Sequence, residues 1–219
     1  MKPIKQALAN KKNYGSARHL MDIKYIVIHY TGNDGDTDES NARYFQNNVT
    51  GTSAHYFVDD DSITQSVPDN YVAWHCGTTG AYKHKQCRNS NSIGIEICDD
   101  VKNGTIYPSA QTIKNVLELV EYLMNKYSIP KENVIRHYDV TGKHCPQYWV
   151  NDSKWKSEFW NKIGVEYVVE KSKIIVDGKE VPVERILHNG TNYIKIRDVA
   201  GAVNYNISAK GNIPVLTKK

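Results

Sequence analysis

The stretch IKYIVIHY, residues 23–30, is a run of β-branched and aromatic side chains that stops at Thr31-Gly32-Asn33. It reads as a buried strand followed by a loop, so the chain must supply layers to cover it. SIGIEIC, residues 92–98, alternates strictly: Ile93, Ile95 and Ile97 share one face, and Gly94, Glu96 and Cys98 share the other. Glu96 therefore points away from the isoleucines. Between these runs, SAHYFVDDDSITQSV reads as two strands joined by an acidic turn. Asp36 or Thr37 can cap a short helix through Tyr44 and Phe45, with Glu39 three residues after Asp36 as in a capping box.

From Ser109 to Tyr127 the apolar positions Ile113, Val116, Leu117, Val120, Met124 and Tyr127 follow helical spacing, and SIP ends the helix. NVIRHY is then a short strand, and Asp152 opens a last helix through Trp155, Phe159 and Ile163 that stops at Gly164. Strands alternating with helices in this order predict an α/β fold with a central mixed, largely parallel sheet flanked by helices. Functional loops in such folds gather beyond the carboxyl ends of the strands, where both His29 and His137 fall.

Past Gly164 the texture changes. Asp177-Gly178 and Asn189-Gly190 are hairpin signals between alternating segments, and RDVAGAV has room for only about two helical turns. A boundary near residue 165 divides the chain into residues 1–164 and a small β-rich domain, 165–219. A unit of that size without cysteines is marginal alone and is expected to lean on the first domain or on another copy.

Charge and cysteine usage narrow the function classes. Residues 165–219 hold 9 Lys/Arg against 6 Asp/Glu, so most of the net charge of +4 lies there. That hints at an anionic partner but falls far short of a nucleic-acid footprint. No run approaches the roughly 18 apolar residues of a membrane span, which argues against membrane insertion. The first twenty residues lack the hydrophobic centre of a secretory signal peptide, so the expectation is a chain that starts in the cytoplasm. Cys76, Cys87, Cys98 and Cys145 are too few and too unevenly spaced for a disulfide scaffold.

His29 and His137, at strand ends, and Cys145, on a loop held by Pro146, offer two imidazoles and a thiolate. Zinc takes that donor set readily and keeps a fourth position for water in a catalytic site. Taken singly, each residue also reads as a packed or solvated side chain. His144 adjoins Cys145, but neighbours in an extended loop point apart, and the thiolate is the better ligand. A rival site lies in WHCGTTGAYKHKQCR, where Cys76, His84 and Cys87, with His75, could clamp a structural zinc, or the two cysteines could pair after release from the cell. Its glycine and lysine content counts against a closed four-ligand site. Cys98 reads as a small apolar residue.

YIVIHYTGN, SAHYFVDDD, AWHCG, NSIGIEI and RHYDVTGKHCP occur in the order and approximate spacing of the zinc-dependent N-acetylmuramoyl-L-alanine amidases, the family shared by phage endolysins, bacterial autolysins and peptidoglycan-recognition proteins. The chain resembles that family over about residues 20–160. The resemblance implies a Zn2+ cofactor held by His29, His137 and Cys145, and a substrate in the amide joining N-acetylmuramic acid to L-alanine of bacterial peptidoglycan. It assigns Glu96 as the base and Lys143 as a cation over the metal that steadies the oxyanion, an interaction worth roughly 2.7–4 kcal/mol when well placed. Alone, Glu96 also reads as a solvated strand carboxylate and Lys143 as a loop lysine facing water.

Further substrate contacts implied by the resemblance are His55, His75, Tyr30, Trp74 and Asn91, although either histidine could be an interior one donating to a carbonyl. Ala54 stands where some relatives carry a tyrosine, leaving Glu96 to act as base alone. The expected biology is an endolysin or autolysin, cytoplasmic until release and then acting on the wall. A peptidoglycan-binding module without catalysis is the alternative, disfavoured because such relatives tend to lose the cysteine that Cys145 retains. DGKEVPVERILHNGTNYIKIRDVAGAV is similar, much more weakly, to small modules related to an amine-oxidase amino-terminal domain. That suggests a wall-binding role, with homodimerisation through exposed hairpin edges as the alternative.

Overall fold

The computed structural model describes residues 1–102, 104–164, 169–188, 191–210 and 213–219. Its chain forms two compact units, Met1–Gly164 and Val165–Lys219. Among the described residues, the first unit is built on a six-stranded sheet. Its strands are β1 (Ile4–Gln6), β2 (Tyr25–Tyr30), β3 (Tyr56–Val58), β4 (Ile63–Gln65), β5 (Ser92–Ile97) and β6 (Val134–Arg136), in the spatial order β1-β4-β3-β5-β2-β6. Neighbours run parallel except for the β3–β4 hairpin, whose turn is the acidic segment 59–62. The expected mixed, largely parallel sheet is the one observed.

The isoleucine face of the sheet carries Ile26, Ile28, Ile93, Ile95 and Ile97, which pack against Ile113, Val116, Leu119, Val120 and Leu123 of a helix spanning Ala110–Tyr127. Ser109 caps that helix by accepting from the Thr112 N–H at 3.0 Å. Ser128, with φ of 53°, turns the chain out of it ahead of Pro130. Burying a branched aliphatic side chain contributes about 1.5–3 kcal/mol, so this face supplies much of the unit's stability. Trp149, Trp155 and Phe159 close one end of the same core. No described helix is long and apolar enough to cross a membrane.

Three local expectations need correction. Of the two cap candidates, Thr37 caps the helix Asp38–Asn47, and Ser40 rather than Glu39 completes the box: Thr37 Oγ1 accepts from the Ser40 N–H at 3.1 Å and Ser40 Oγ from the Thr37 N–H at 3.0 Å. Asp36 instead binds Asn41, and Glu39 pairs with Lys5. The last helix ends at Glu158, because Phe159 leaves helical geometry and a tighter turn, Trp160–Lys162, follows; Phe159 and Ile163 are still buried. The strand read in NVIRHY stops at Arg136, so His137 lies just past its carboxyl end, where it opens a five-residue helix, His137–Thr141. The Asp139 carboxylate nucleates that helix by accepting from the Arg136 N–H at 2.8 Å and from its guanidinium.

In the second unit, Val169–Val176 and Lys179–His188 form an antiparallel hairpin that turns at Asp177-Gly178, both at positive φ as such a turn requires. Thr191–Ile194 extends this sheet, and Asn189-Gly190 lies outside the described residues. The helix Ile196–Ala202 has two turns, and Tyr205–Lys210 pairs with Ile213–Lys218. Val183 and Ala200 are buried, while Ile175 and Tyr193 are largely exposed.

Candidate functional site

Sheet register brings the chemistry together. His29 is the penultimate residue of β2, and its register partner on β5 is Glu96, so both side chains leave the same face opposite the isoleucines. On the other side of β2, Arg136 pairs with Ile28, which puts the next residue, His137, beside His29. The rings of His29 and His137 lie with centroids 4.6 Å apart. After the short helix the chain turns at Gly142, where φ is 86°, and Cys145 returns beneath both rings, its carbonyl accepting from the Tyr138 N–H at 2.9 Å.

Arg136 holds this return. The residue is 4% exposed, and its guanidinium donates to the Trp149 carbonyl at 2.7 Å and binds Asp139 and Asp152.

The ligand atoms of His29, His137 and Cys145 all lie within 4.8 Å of one another, and all three residues are buried. No other such group forms among the described residues. His29 Nδ1 is 3.7 Å from Cys145 Sγ. Nitrogen and sulfur donors on one tetrahedral zinc would stand about 3.6 Å apart.

Burial keeps both imidazoles neutral, pushing His29 well down and His137 to about 4. Both ring nitrogens of His137 are buried without a hydrogen-bond partner. Burial also pushes the Cys145 thiol up to about 12, so it needs a cation to become a thiolate. Neutral imidazoles with open lone pairs beside a sulfur fit a divalent metal that accepts nitrogen and sulfur ligands.

Beside this cluster opens a cavity of about 620 Å³, lined by Glu96, Lys143, Tyr30, Thr31, Asn33, Asp36, Ser40, Asn41, Tyr44, Phe45 and Phe57. The Glu96 side chain is 21% exposed, with Oε1 4.0 Å from His29 Nδ1 and Oε2 buried without a partner. Burial raises its pKa to about 8, against the opposing pull of the Lys143 charge. Lys143 itself is exposed. Tyr30 reaches across the rim and donates to Gln147 Oε1 at 3.1 Å.

The other expected substrate contacts fall elsewhere. His55 is fully buried: its Nδ1 accepts from the Gly94 N–H at 3.0 Å, and its Nε2 lies 2.8 Å from Arg18 Nη2 and 3.1 Å from the Tyr71 carbonyl. That is the interior-histidine reading, and it removes His55 from the groove. Asn91 closes a turn, accepting from the Arg88 N–H and donating to the Gln86 carbonyl. Trp74 is exposed outside the cavity lining, and half-buried His75 sits behind His29.

Among the described residues the rival metal site is not assembled, since the ligand atoms of Cys76, His84, Cys87 and His75 do not converge; His84 Nδ1 accepts from the Cys87 and Gln86 N–H groups. Cys76 and Cys87 are free thiols in one buried cluster with Val27 and Val140, and His144 is exposed beside Tyr138. Missed in the sequence were Asn33, Ser40, Asn41 and Tyr44. They follow β2 through its loop into the next helix, so the rule that singled out His29 could have found them.

A family profile described as N-acetylmuramoyl-L-alanine amidase matches residues 19–148. N-acetylmuramoyl-L-alanine amidase CwlL of Bacillus licheniformis is 34% identical over 157 residues, which are 66% of this chain and 41% of that protein. The chain thus spans about two fifths of the length of such curated relatives. Among solved structures, a mutant endolysin from Bacillus subtilis is 34% identical with a TM-score of 0.61, covering 75% of this chain and 100% of its own. The catalytic domain of XlyA is 33% identical with a TM-score of 0.61, covering 74% and 99%.

Proposed function

The chain belongs to the N-acetylmuramoyl-L-alanine amidase family, and from that premise we propose that it hydrolyses the amide between N-acetylmuramic acid and L-alanine in bacterial peptidoglycan. The observation that carries this reading is the convergence of His29, His137 and Cys145 beside Glu96 at the mouth of a cavity. Those three residues would hold a zinc ion, which when bound supplies a Lewis acid for the scissile carbonyl and acidifies a water molecule. Glu96 takes the proton from the attacking water and returns it to the departing L-alanine nitrogen as the carbon–nitrogen bond breaks. A base with its pKa near the working pH is efficient in both directions. Lys143 faces the developing negative charge on the carbonyl oxygen, and Tyr30 with the loop behind it lines the groove for the glycan or peptide.

The test is metal content of the purified protein together with mass analysis of digested walls. New L-alanine amino termini on intact glycan strands, lost on chelation and restored by zinc, are expected. Intact amides would overturn the reading in favour of a binding module.

Lys143→Met is expected to slow turnover about tenfold, less than the 10²–10³ of an enclosed donor because this lysine is exposed. It also has a pH signature. Glu96 acts as base only when ionised, so turnover climbs as pH rises through its pKa. The Lys143 charge opposes the effect of burial at Glu96, so its loss moves that limb to higher pH. An unmoved pH–rate profile would take Lys143 out of the site.

For residues 165–219, the excess of Lys/Arg supports a wall-anchoring role, with self-association as the alternative. Sedimentation of the whole chain with purified walls, and its size in their absence, separate the two.

A further inference from the structure

We propose that Ser92 and His75 are positioning residues that fix the tautomer of His29, directing its Nδ1 lone pair toward His137 and Cys145. The inference rests on the metal-site reading above and deepens it.

Its logic starts at a group whose role is unambiguous. The Arg88 carbonyl oxygen can only accept, and Ser92 Oγ lies 2.7 Å from it, so the serine proton is committed there. The competing contact of Ser92 Oγ, to Cys76 Sγ at 3.8 Å, is long and weak by comparison. His75 Nε2 is 3.1 Å from the same Oγ and must therefore donate to it. A neutral imidazole protonated at Nε2 has its lone pair on Nδ1. His75 Nδ1 stands 3.0 Å from His29 Nε2, which makes His29 Nε2 the donor and leaves the His29 lone pair on Nδ1. That is the nitrogen 3.7 Å from Cys145 Sγ.

The relay is built into the sheet. Ser92 begins β5 and is fully buried. Two residues on, Gly94 leaves the space that the His75 ring fills: a Cβ there would stand 2.5 Å from His75 Cγ. The two imidazoles meet edge-on with an interplanar angle of 89°. The backbone N–H of His75 is tied to Asn89 Oδ1 at 3.1 Å, which fixes the ring's origin. Outer partners of this kind typically set ligand orientation and change metal affinity about 10–100-fold when removed.

The test uses the full chain, metal-free, with 15N-labelled histidine at about pH 8, above the ordinary histidine pKa. Long-range proton–nitrogen correlation spectra should show His29 carrying its proton on Nε2. Ser92→Ala should mix the two His29 tautomers and weaken zinc binding, measured by competition with a chelating dye, by about tenfold. His75→Ala should weaken it about 10–100-fold, and His75→Asn, which keeps an acceptor where Nδ1 stood, should recover part of the loss. His29 protonated on Nδ1 in the unsubstituted protein would overturn the proposal. So would unchanged zinc affinity in folded Ser92→Ala and His75→Ala. The tautomer is read without metal or substrate, so failure of the amidase reading, seen as intact wall amides, is a separate result.

Discussion

Replacing Glu96 with glutamine is expected to lower amide hydrolysis on purified walls by about 10²–10⁴-fold, the usual contribution of a positioned base, with zinc content and wall binding unchanged. The two side chains have the same shape, so the cavity and the sheet around it persist. What the amide cannot do is take a proton. Wild-type release of stem peptides by this variant would remove Glu96 from the mechanism.

The same substitution has a second consequence, for stability. Burial raises the Glu96 pKa in the folded protein to about 8, so the folded state binds this proton more tightly than the unfolded chain does. Its contribution to stability is complete below the unfolded pKa of about 4.3 and is lost as pH rises through the folded value. Metal-free Glu96→Gln should therefore melt higher than the parent above about pH 8 and show no such advantage near pH 4. Activity and alkaline stability are opposed at this one position.

Arg136→Met should destabilise the first unit by about 3–5 kcal/mol, the range for breaking a buried, hydrogen-bonded charge. In a unit of this size that corresponds to a fall in Tm of roughly 6–20 °C. The partners do not matter equally. Asp152 is 74% exposed and its ion pair is worth little, whereas the Trp149 carbonyl and the partly buried Asp139 carboxylate lose a donor they cannot replace. Asp152→Ala should accordingly cost less than about 1 kcal/mol. Urea unfolding of both variants makes the comparison, and a small loss for Arg136→Met would show that the return of Cys145 does not depend on it.

What the sequence disclosed, and what it hid, follows from how local each signal is. Strand β5 and the helix Ala110–Tyr127 were legible because a two- or 3.6-residue period over six or more positions has few alternative readings, and β2 because an unbroken β-branched and aromatic run bounded by a turn signal reads as a buried strand. The helix His137–Thr141 was not, since five residues carry no period, and its cause is a side chain folding back on Arg136. In the site, His29, Glu96 and His137 lie near the ends of parallel strands and could be inferred to meet. His55 and His75 looked interchangeable as histidines near a groove. Only their surroundings tell them apart: His55 accepts from the Gly94 N–H, whereas the His75 ring fills the space beside Gly94 and contacts Ser92 and His29.

The placement of β6 has a further consequence. Among the described residues it lies at the margin of the sheet, with β2 along one side and no strand along the other, and the segment that begins there delivers two of the three candidate ligands, while His29 comes from an interior strand. Fraying of that margin would carry both away in one event. An ion seated among the three would act as a rivet between the sheet's border and its interior, so its escape would follow the rhythm at which the border peels open. Slowed amide exchange over residues 134–150 on adding zinc would register that fastening.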